Sequence, residues 1–384
     1  MNNGARVPAS IAELPSLPVA ARAGRVRERL AEAGVDALVL TNLRNIRYLT
    51  GFTGSAAVGF VLPDRLVLLT DGRYRDQASI QLAASGVDAE IVVAITVAAQ
   101  AQAAGPIVSG LARLGLEADH VSWSRQRAFA ADWFPDAQLV PTSGIVEAER
   151  AVKDTAEVAR IAHAASIADE ALRRVAPSLG DDKTEREIAL ALDDLMRQLG
   201  AEGPSFDTIV ASGPNSAMPH HQPGGRRILE GDLVVCDFGA LVDGYASDMT
   251  RTFVVGDPSS QQREMLELVC AAEQAGVDAV RAGAAAVDID RACREVIVAA
   301  GRGEQFSHGT GHGLGLDIHE IPFLGTAATA TLAPGNVITV EPGVYSAGFG
   351  GVRIEDCVLV TADGCQPLTH HSKDPRCLPS PPTT

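Results

Sequence analysis

The sequence predicts an α/β protein of two domains, the second assembled from two similar halves around a shared cleft. Two patterns carry this reading. Between about residues 20 and 145, short apolar runs alternate with amphipathic helical stretches. Beyond residue 150, two helices followed by strands occur twice over. The 384 residues leave room for more than one core, and 46% hydrophobic with 21% charged residues is an ordinary globular composition. Aromatic residues are only 4%, so the cores must be packed from aliphatic side chains and alanine.

In the first domain, residues 35–40 and 65–70 read as short strands, and 20–33 and 74–84 as helices. No glycine-rich phosphate loop or nucleophile elbow is found there, which places the chemistry further along the chain. The boundary falls near 147–153, giving domains over 1–150 and 151–371. The Pro- and Thr-rich end, 372–384, is expected to be a disordered tail.

In the second domain, Asp154 to Glu157 resembles a capping box and opens a helix reaching about Val175. Thr184 to Glu187 caps a second helix that stops at Gly200, and strands follow over 232–239 and 245–254. The pattern then starts again. Ser259 to Gln262 opens a helix ending at Gly283, Asp288 opens another ending at Gly301, and strands resume over 336–341 and 352–360.

Lys and Arg number 32 against 48 Asp and Glu, a net charge of −16. That balance argues against nucleic acid and anionic membrane as partners, since both require clustered positive charge. No apolar run is long enough to span a bilayer, and the N-terminal residues lack the basic start and apolar stretch of a signal peptide. Cys236, Cys270, Cys293, Cys357, Cys365 and Cys377 are scattered without a CxxC pair, which reads as reduced thiols in the cytoplasm.

Acidic residues sit where strands prefer apolar ones. Asp237 follows Leu233-Val234-Val235-Cys236, and Asp248 follows Tyr245-Ala246-Ser247. Between them Asp243-Gly244 is a strong two-residue hairpin signal. With that turn, Asp248 stands opposite Gly239, so Asp237 and Asp248 share one face as diagonal neighbours. Two carboxylates converging on an apolar sheet call for a cation between them, and a divalent metal is the simplest one. A solvated edge hairpin is the alternative. Glu341 and Glu355 have an even separation, so a regular hairpin puts them on one face too, unless a bulge among Gly348, Gly350 and Gly351 upsets the parity. Arg353 shares the face of Glu355 and could hold a carboxylate in place; a plain salt bridge to a glutamate is the other reading. Between these pairs, His308, His312 and His319 lie in a glycine-rich stretch, Ser307 to Glu320. One or two imidazoles with four carboxylates suit Mn²⁺, Co²⁺, Fe²⁺ or Zn²⁺. The loop Pro214 to His221 offers His220 to a reacting carbonyl, an ordinary surface loop being the alternative.

These residues resemble the pita-bread metallopeptidases, in particular the Xaa-Pro aminopeptidases and Xaa-Pro dipeptidases (prolidases). Asn45 to Ser55 is similar to the creatinase-type N-terminal domain and about 155–362 to the catalytic domain. The resemblance implies a pita-bread catalytic domain of two pseudo-symmetric halves and a homodimer. It also implies two divalent ions, Mn²⁺ favoured, on Asp237, Asp248, His312, Glu341 and Glu355. It places His220, His308 and His319 near the substrate, a proline-containing peptide, with His221 less secure. The implied reaction is cleavage before proline by a metal-bridged hydroxide, with Glu341 as general base and His220 or His319 on the developing oxyanion. Methionine-aminopeptidase-like activity shares the ligands; a non-catalytic relative is the alternative from another class.

Overall fold

The structure, a computed structural model, describes residues 11–376. Residues 16–150 form one unit. Its strands are β1 (Ala37–Leu40), β2 (Ala57–Val61), β3 (Leu66–Thr70), β4 (Glu90–Val93), β5 (Arg113–Glu117) and β6 (Gln138–Thr142). They make one sheet in the order β4-β3-β2-β1-β5-β6. β1 lies inside it, antiparallel to β2 and parallel to β5. All four of its residues are buried, which explains its unbroken apolar run. The helices are α1 (Arg22–Leu30), α2 (Leu43–Thr50), α3 (Arg75–Ala84), α4 (Val97–Ile107), α5 (Trp123–Ala128) and α6 (Ile145–Ala151). The expected strands and helices of this domain correspond to β1, β3, α1 and α3, each trimmed at its ends.

The described residues 11–15 belong with 151–376 in the second unit, against the expected domain start at residue 1. Leu14 lies in that unit's core, and Arg160 Nη1 donates to the Pro15 carbonyl at 2.9 Å. Of the expected tail 372–384, residues 372–376 are held in place. Lys373 pairs with Glu273 at 2.6 Å and Asp356 at 2.7 Å, and Arg376 bridges to Val254. Residues 377–384, with Cys377, lie outside the described residues.

The first half of the second unit contains α7 (Thr155–Val175), α8 (Glu185–Gln198), β7 (Gly203–Pro204), β8 (Ile209–Ser212), β9 (Leu233–Phe238), β10 (Ala240–Val242), β11 (Tyr245–Ala246) and β12 (Met249–Val254). The second half contains α9 (Ser260–Ala279), α10 (Ala286–Ala299), β13 (Gly311–Gly313), β14 (Glu320–Leu324), β15 (Val337–Val340), β16 (Gly343–Ser346), β17 (Gly350–Arg353), β18 (Asp356–Val360) and β19 (Cys365–Pro367). Each half buries its own helix pair. Leu172, Ile188 and Leu192 meet Val234, Cys236 and Phe253 in one core, while Met265, Val269 and Ile289 meet Ile338, Val340 and Val358 in the other. None of the described helices is long and apolar enough to cross a membrane.

The helix starts follow the sequence at three of four positions. Capping boxes close at Asp154/Glu157, Thr184/Glu187 and Ser259/Gln262. Asp288 does not cap α10. That helix starts earlier because Ala286 N–H donates to the Ala330 carbonyl, and Asp288 pairs instead with Arg291 at 2.7 Å. α9 stops at Ala279 rather than Gly283, its cap Val280 being extended.

Both acidic hairpins keep a single register. Asp243 and Gly244 have φ of 45° and 71°, as a type I′ turn requires. Val242 then pairs with Tyr245 and Asp237 with Thr250 without slippage, so Asp248 does stand opposite Gly239. In the second half Val340 pairs with Asp356 and Gly343 with Arg353, so no bulge intervenes and the register brings Glu341 opposite Glu355.

Gly239 marks where the first hairpin passes from one sheet to the next. A Cβ there would lie 1.8 Å from the Ser247 carbonyl oxygen, so only glycine permits this approach. Gly239→Ala should therefore lower the unfolding free energy by about 1–3 kcal/mol and weaken divalent-ion binding along with it. Thermal unfolding and metal titration check this, and a variant with wild-type midpoint and affinity would contradict it.

Candidate metal centre

Strand geometry delivers five ligand-type side chains to one place. Oxygens of Asp237, Asp248 and Glu355 lie within 4.8 Å of one another. His312 Nε2 lies 3.7 Å from Asp248 Oδ2 and 3.4 Å from Glu341 Oε1. The five expected ligands thus form two overlapping groups that share Asp248. His312 sits mid-way along β13, between β14 and β15. The glycine before it allows that close packing, since a Cβ on Gly311 would lie 2.1 Å from the Thr339 carbonyl oxygen.

The donors suit a divalent cation. Asp237 Oδ1 and Glu355 Oε1 are buried without a hydrogen-bond partner, an expensive arrangement unless a cation faces them. His312 Nδ1 lies 3.0 Å from the Gly313 carbonyl, which fixes the proton there and leaves the Nε2 lone pair facing Asp248 and Glu341. Burial holds the His312 pKa down to about 4, so the ring is a neutral donor at physiological pH. Four carboxylates with one imidazole match manganese, iron, cobalt or zinc.

Their electrostatics show the same demand. Burial raises Asp248 and Glu355 well above ordinary carboxylate values, and neighbouring acids push them further. Glu341 is pushed up to about 8, mainly by burial, with Arg353 opposing and Asp237 reinforcing the rise. Like charges this close cannot all ionise in a dry site without positive charge among them.

Arg353 supplies one such charge, and its partner is not a glutamate. Its Nη2 donates to Asp237 Oδ2 at 2.5 Å, across to the other half of the unit. The sheet register explains this: β12 runs beside residues 353–355, with Thr252 Oγ1 donating to the Arg353 carbonyl and Glu355 N–H to the Thr250 carbonyl. Arg353 Nε donates to Thr250 Oγ1, which donates to Glu355 Oε2 at 2.6 Å. Arg353 Nη1 donates to the Tyr345 hydroxyl at 2.9 Å, which in turn lies 2.9 Å from His308 Nε2. His308 Nδ1 lies 2.7 Å from the Gly309 carbonyl, so Nε2 is the acceptor from Tyr345, and burial holds this imidazole down to about 4. Thr339 Oγ1 donates to Glu341 at 3.2 Å.

Thr250, Thr339 and Tyr345 escaped the sequence reading. The two threonines carried a faint signal, each lying two residues from a ligand and therefore on its face; Tyr345 had none.

A cavity of about 1000 Å³ opens onto the five expected ligands and is also lined by His220, His308, His319 and Arg353. The His319 ring stands edge-on to His312, centroids 4.5 Å apart. His221 lines the cavity too, but its Nε2 lies 2.8 Å from Glu185 Oε2, which ties it to the scaffold.

Residues 159–362 match Metallopeptidase family M24, and residues 22–152 match the Creatinase/Prolidase N-terminal domain. The chain belongs to the M24 metallopeptidases, with a creatinase-type N-terminal domain followed by a pita-bread catalytic domain. It is 39% identical over 350 residues to an uncharacterized peptidase of Bacillus subtilis, covering 91% of this chain and 98% of that one. The Xaa-Pro dipeptidase of Pyrococcus furiosus is 44% identical over 230 residues, 60% of this chain and 66% of the relative. Among solved structures, an Xaa-Pro dipeptidase from Bacillus anthracis superposes with a TM-score of 0.89 at 39% identity, covering 93% and 99% of the two chains. An X-Pro aminopeptidase from Thermotoga maritima does so with 0.83 at 33% identity, covering 92% and 98%.

The acid cluster fixes a sign for pH dependence in metal-free protein. A folded carboxyl with a raised pKa retains a proton that the unfolded chain has lost, so its stabilisation disappears as pH rises toward the folded value. His308 and His312, with lowered values, act oppositely, but only below the ordinary 6.5 of histidine. Above 6.5 the acids act alone, up to about 8 for Glu341. The unfolding midpoint of EDTA-treated protein should therefore fall between about pH 6.5 and 8, and Mn²⁺ should reverse the loss while releasing protons. A metal-free midpoint that rises across this window would contradict the assignment.

Proposed function

We propose that the chain is a dinuclear metal-dependent peptidase that cleaves the bond before proline, at the N-terminus of peptides or in Xaa-Pro dipeptides. The observation that carries this reading is the convergence of Asp237, Asp248, His312, Glu341 and Glu355 at the foot of one cavity, two buried carboxylate oxygens among them lacking a protein partner. Divalent ions held there would act as Lewis acids and bring the pKa of a shared water toward neutrality. Manganese is the ion we favour for an oxygen-rich set.

The protein's own groups would do the rest. Glu341, anchored by Thr339 Oγ1, takes the proton of the attacking water and passes it to the leaving proline nitrogen. His220 or His319, both facing the cavity, donates to the oxygen of the scissile carbonyl as charge develops there. Arg353 is a positioning residue: it orients Asp237 and ties it through Tyr345 to neutral His308. A proline amide has no N–H, so a site shaped for its ring need supply no acceptor there. By resemblance the assembly is a homodimer, and buried thiols outside any disulfide at Cys293 and Cys357 fit a reducing cytoplasm.

Three measurements test this reading. Rates on matched Xaa-Pro and Xaa-Ala substrates at saturating Mn²⁺ should differ strongly in favour of proline, and comparable rates would refute the specificity. Asp248→Ala should abolish turnover and empty at least one metal position while the fold persists; near-normal activity with two ions bound would remove Asp248 from the ligand set. His220→Ala should lower turnover by about 10²–10³-fold with metal content unchanged. Parallel loss of metal would make His220 structural or a ligand.

A further inference from the structure

The charges on the cavity wall bear on substrate length. An Xaa-Pro dipeptide ends in a free carboxylate, which must enter a site already crowded with acids. It can bind there only against a cation or several N–H donors, because an unpaired charge out of water is costly.

The Arg and Lys side chains among the described wall residues are Arg294 and Arg353, and both are committed. Arg294 forks onto Asp290 through Nε and Nη2, each at 2.9 Å. It also donates to the carbonyls of Phe306 at 3.0 Å and His308 at 2.8 Å. Its guanidinium lies 4.1 Å from the centre of the Phe306 ring. Arg353 spends its donors on Asp237, Tyr345 and Thr250. Turning either arginine toward a ligand would strand a buried Asp290 or release Asp237. His221 is bound to Glu185 and His308 to Tyr345 and Gly309, while either His220 or His319 is the group proposed for the scissile carbonyl, which leaves one imidazole rather than a guanidinium fork for a carboxylate. The exposed wall residue Asp207 adds a further negative charge. The remaining polar side chains of the wall, Thr208, Gln222, Ser307 and Thr326, are uncharged, and its apolar part includes Phe206, Ile318, Leu324 and the 54% exposed Phe323. The volume of about 1000 Å³ stands at the top of the usual range for small-ligand sites, roughly 300–1,000 Å³, and exceeds what two residues fill.

We infer that the site selects peptides that continue past the proline over free Xaa-Pro dipeptides, the following residue lying on the apolar wall that includes Phe323. This rests on the proposed cleavage before proline. Chain extension replaces the carboxylate with a neutral amide and adds apolar contact.

The test is kcat/KM of the Mn²⁺-loaded protein on Ala-Pro, Ala-Pro-amide, Ala-Pro-Phe, Ala-Pro-Asp and Ala-Ala-Phe. The amide differs from the dipeptide only in the terminal charge. It and Ala-Pro-Phe should exceed Ala-Pro by about tenfold or more, chiefly through KM, as one unsatisfied buried charge demands. Ala-Pro-Asp should fall below Ala-Pro-Phe. Ala-Pro cleaved as well as its amide would overturn the inference while leaving the proline reading intact. Ala-Ala-Phe cleaved as fast as Ala-Pro-Phe would instead refute the proline reading, and the ratio of Ala-Ala-amide to Ala-Ala would then decide the inference.

Discussion

Mutual repulsion among Asp237, Asp248, Glu341 and Glu355, held in a pocket with little water to screen them, is the constraint to which the catalytic unit is built. Side chains free to move would turn apart or take up protons. These cannot turn far, because each is anchored on or beside a strand whose register is fixed by a tight hairpin. The repulsion becomes affinity for positive charge. Arg353 supplies part of it from within the protein, and the two buried oxygens without a partner are where more is needed.

The two halves meet through polar contacts that are themselves buried. Arg251 is 2% exposed; it donates to the carbonyls of Glu355, Thr250 and His371 and pairs with Asp356 at 2.7 Å. Asp356 in turn receives Lys373 from the last described segment. Removing one member of such a network leaves another charge buried and unpaired, which costs far more than the contact itself contributed. The scaffold that sets the Glu355 backbone therefore reaches well past the strands that carry the ligands, to the residues just before the end of the described chain.

Rigidity at the base of the cavity contrasts with the chemistry at its wall. Ligand positions are specified by backbone pairing and by glycines at close crossings, which suits a site that must be organised before substrate arrives. The cavity wall, by contrast, also includes exposed side chains such as Phe323 and Asp207 that are not among the converging acids and imidazole.

What the sequence determined alone was governed by local rules. The alternation of side chains along a strand and the demand of Asp243-Gly244 for positive φ place Asp237 and Asp248 on one face. Three capping boxes marked three helix starts, and even spacing aligned Glu341 with Glu355. Tertiary structure decided whatever joins residues distant in the chain. Arg353 crosses to Asp237 rather than to a neighbouring glutamate, Tyr345 links it to His308, Glu185 claims His221, and residues 11–15 join the second unit. A backbone hydrogen bond from Ala286 to the distant Ala330 likewise accompanies the start of α10 before Asp288. Period and turn chemistry carry information over about ten residues, whereas these partners lie up to more than a hundred apart and are chosen by packing, charge and the cost of leaving a buried polar group unpaired.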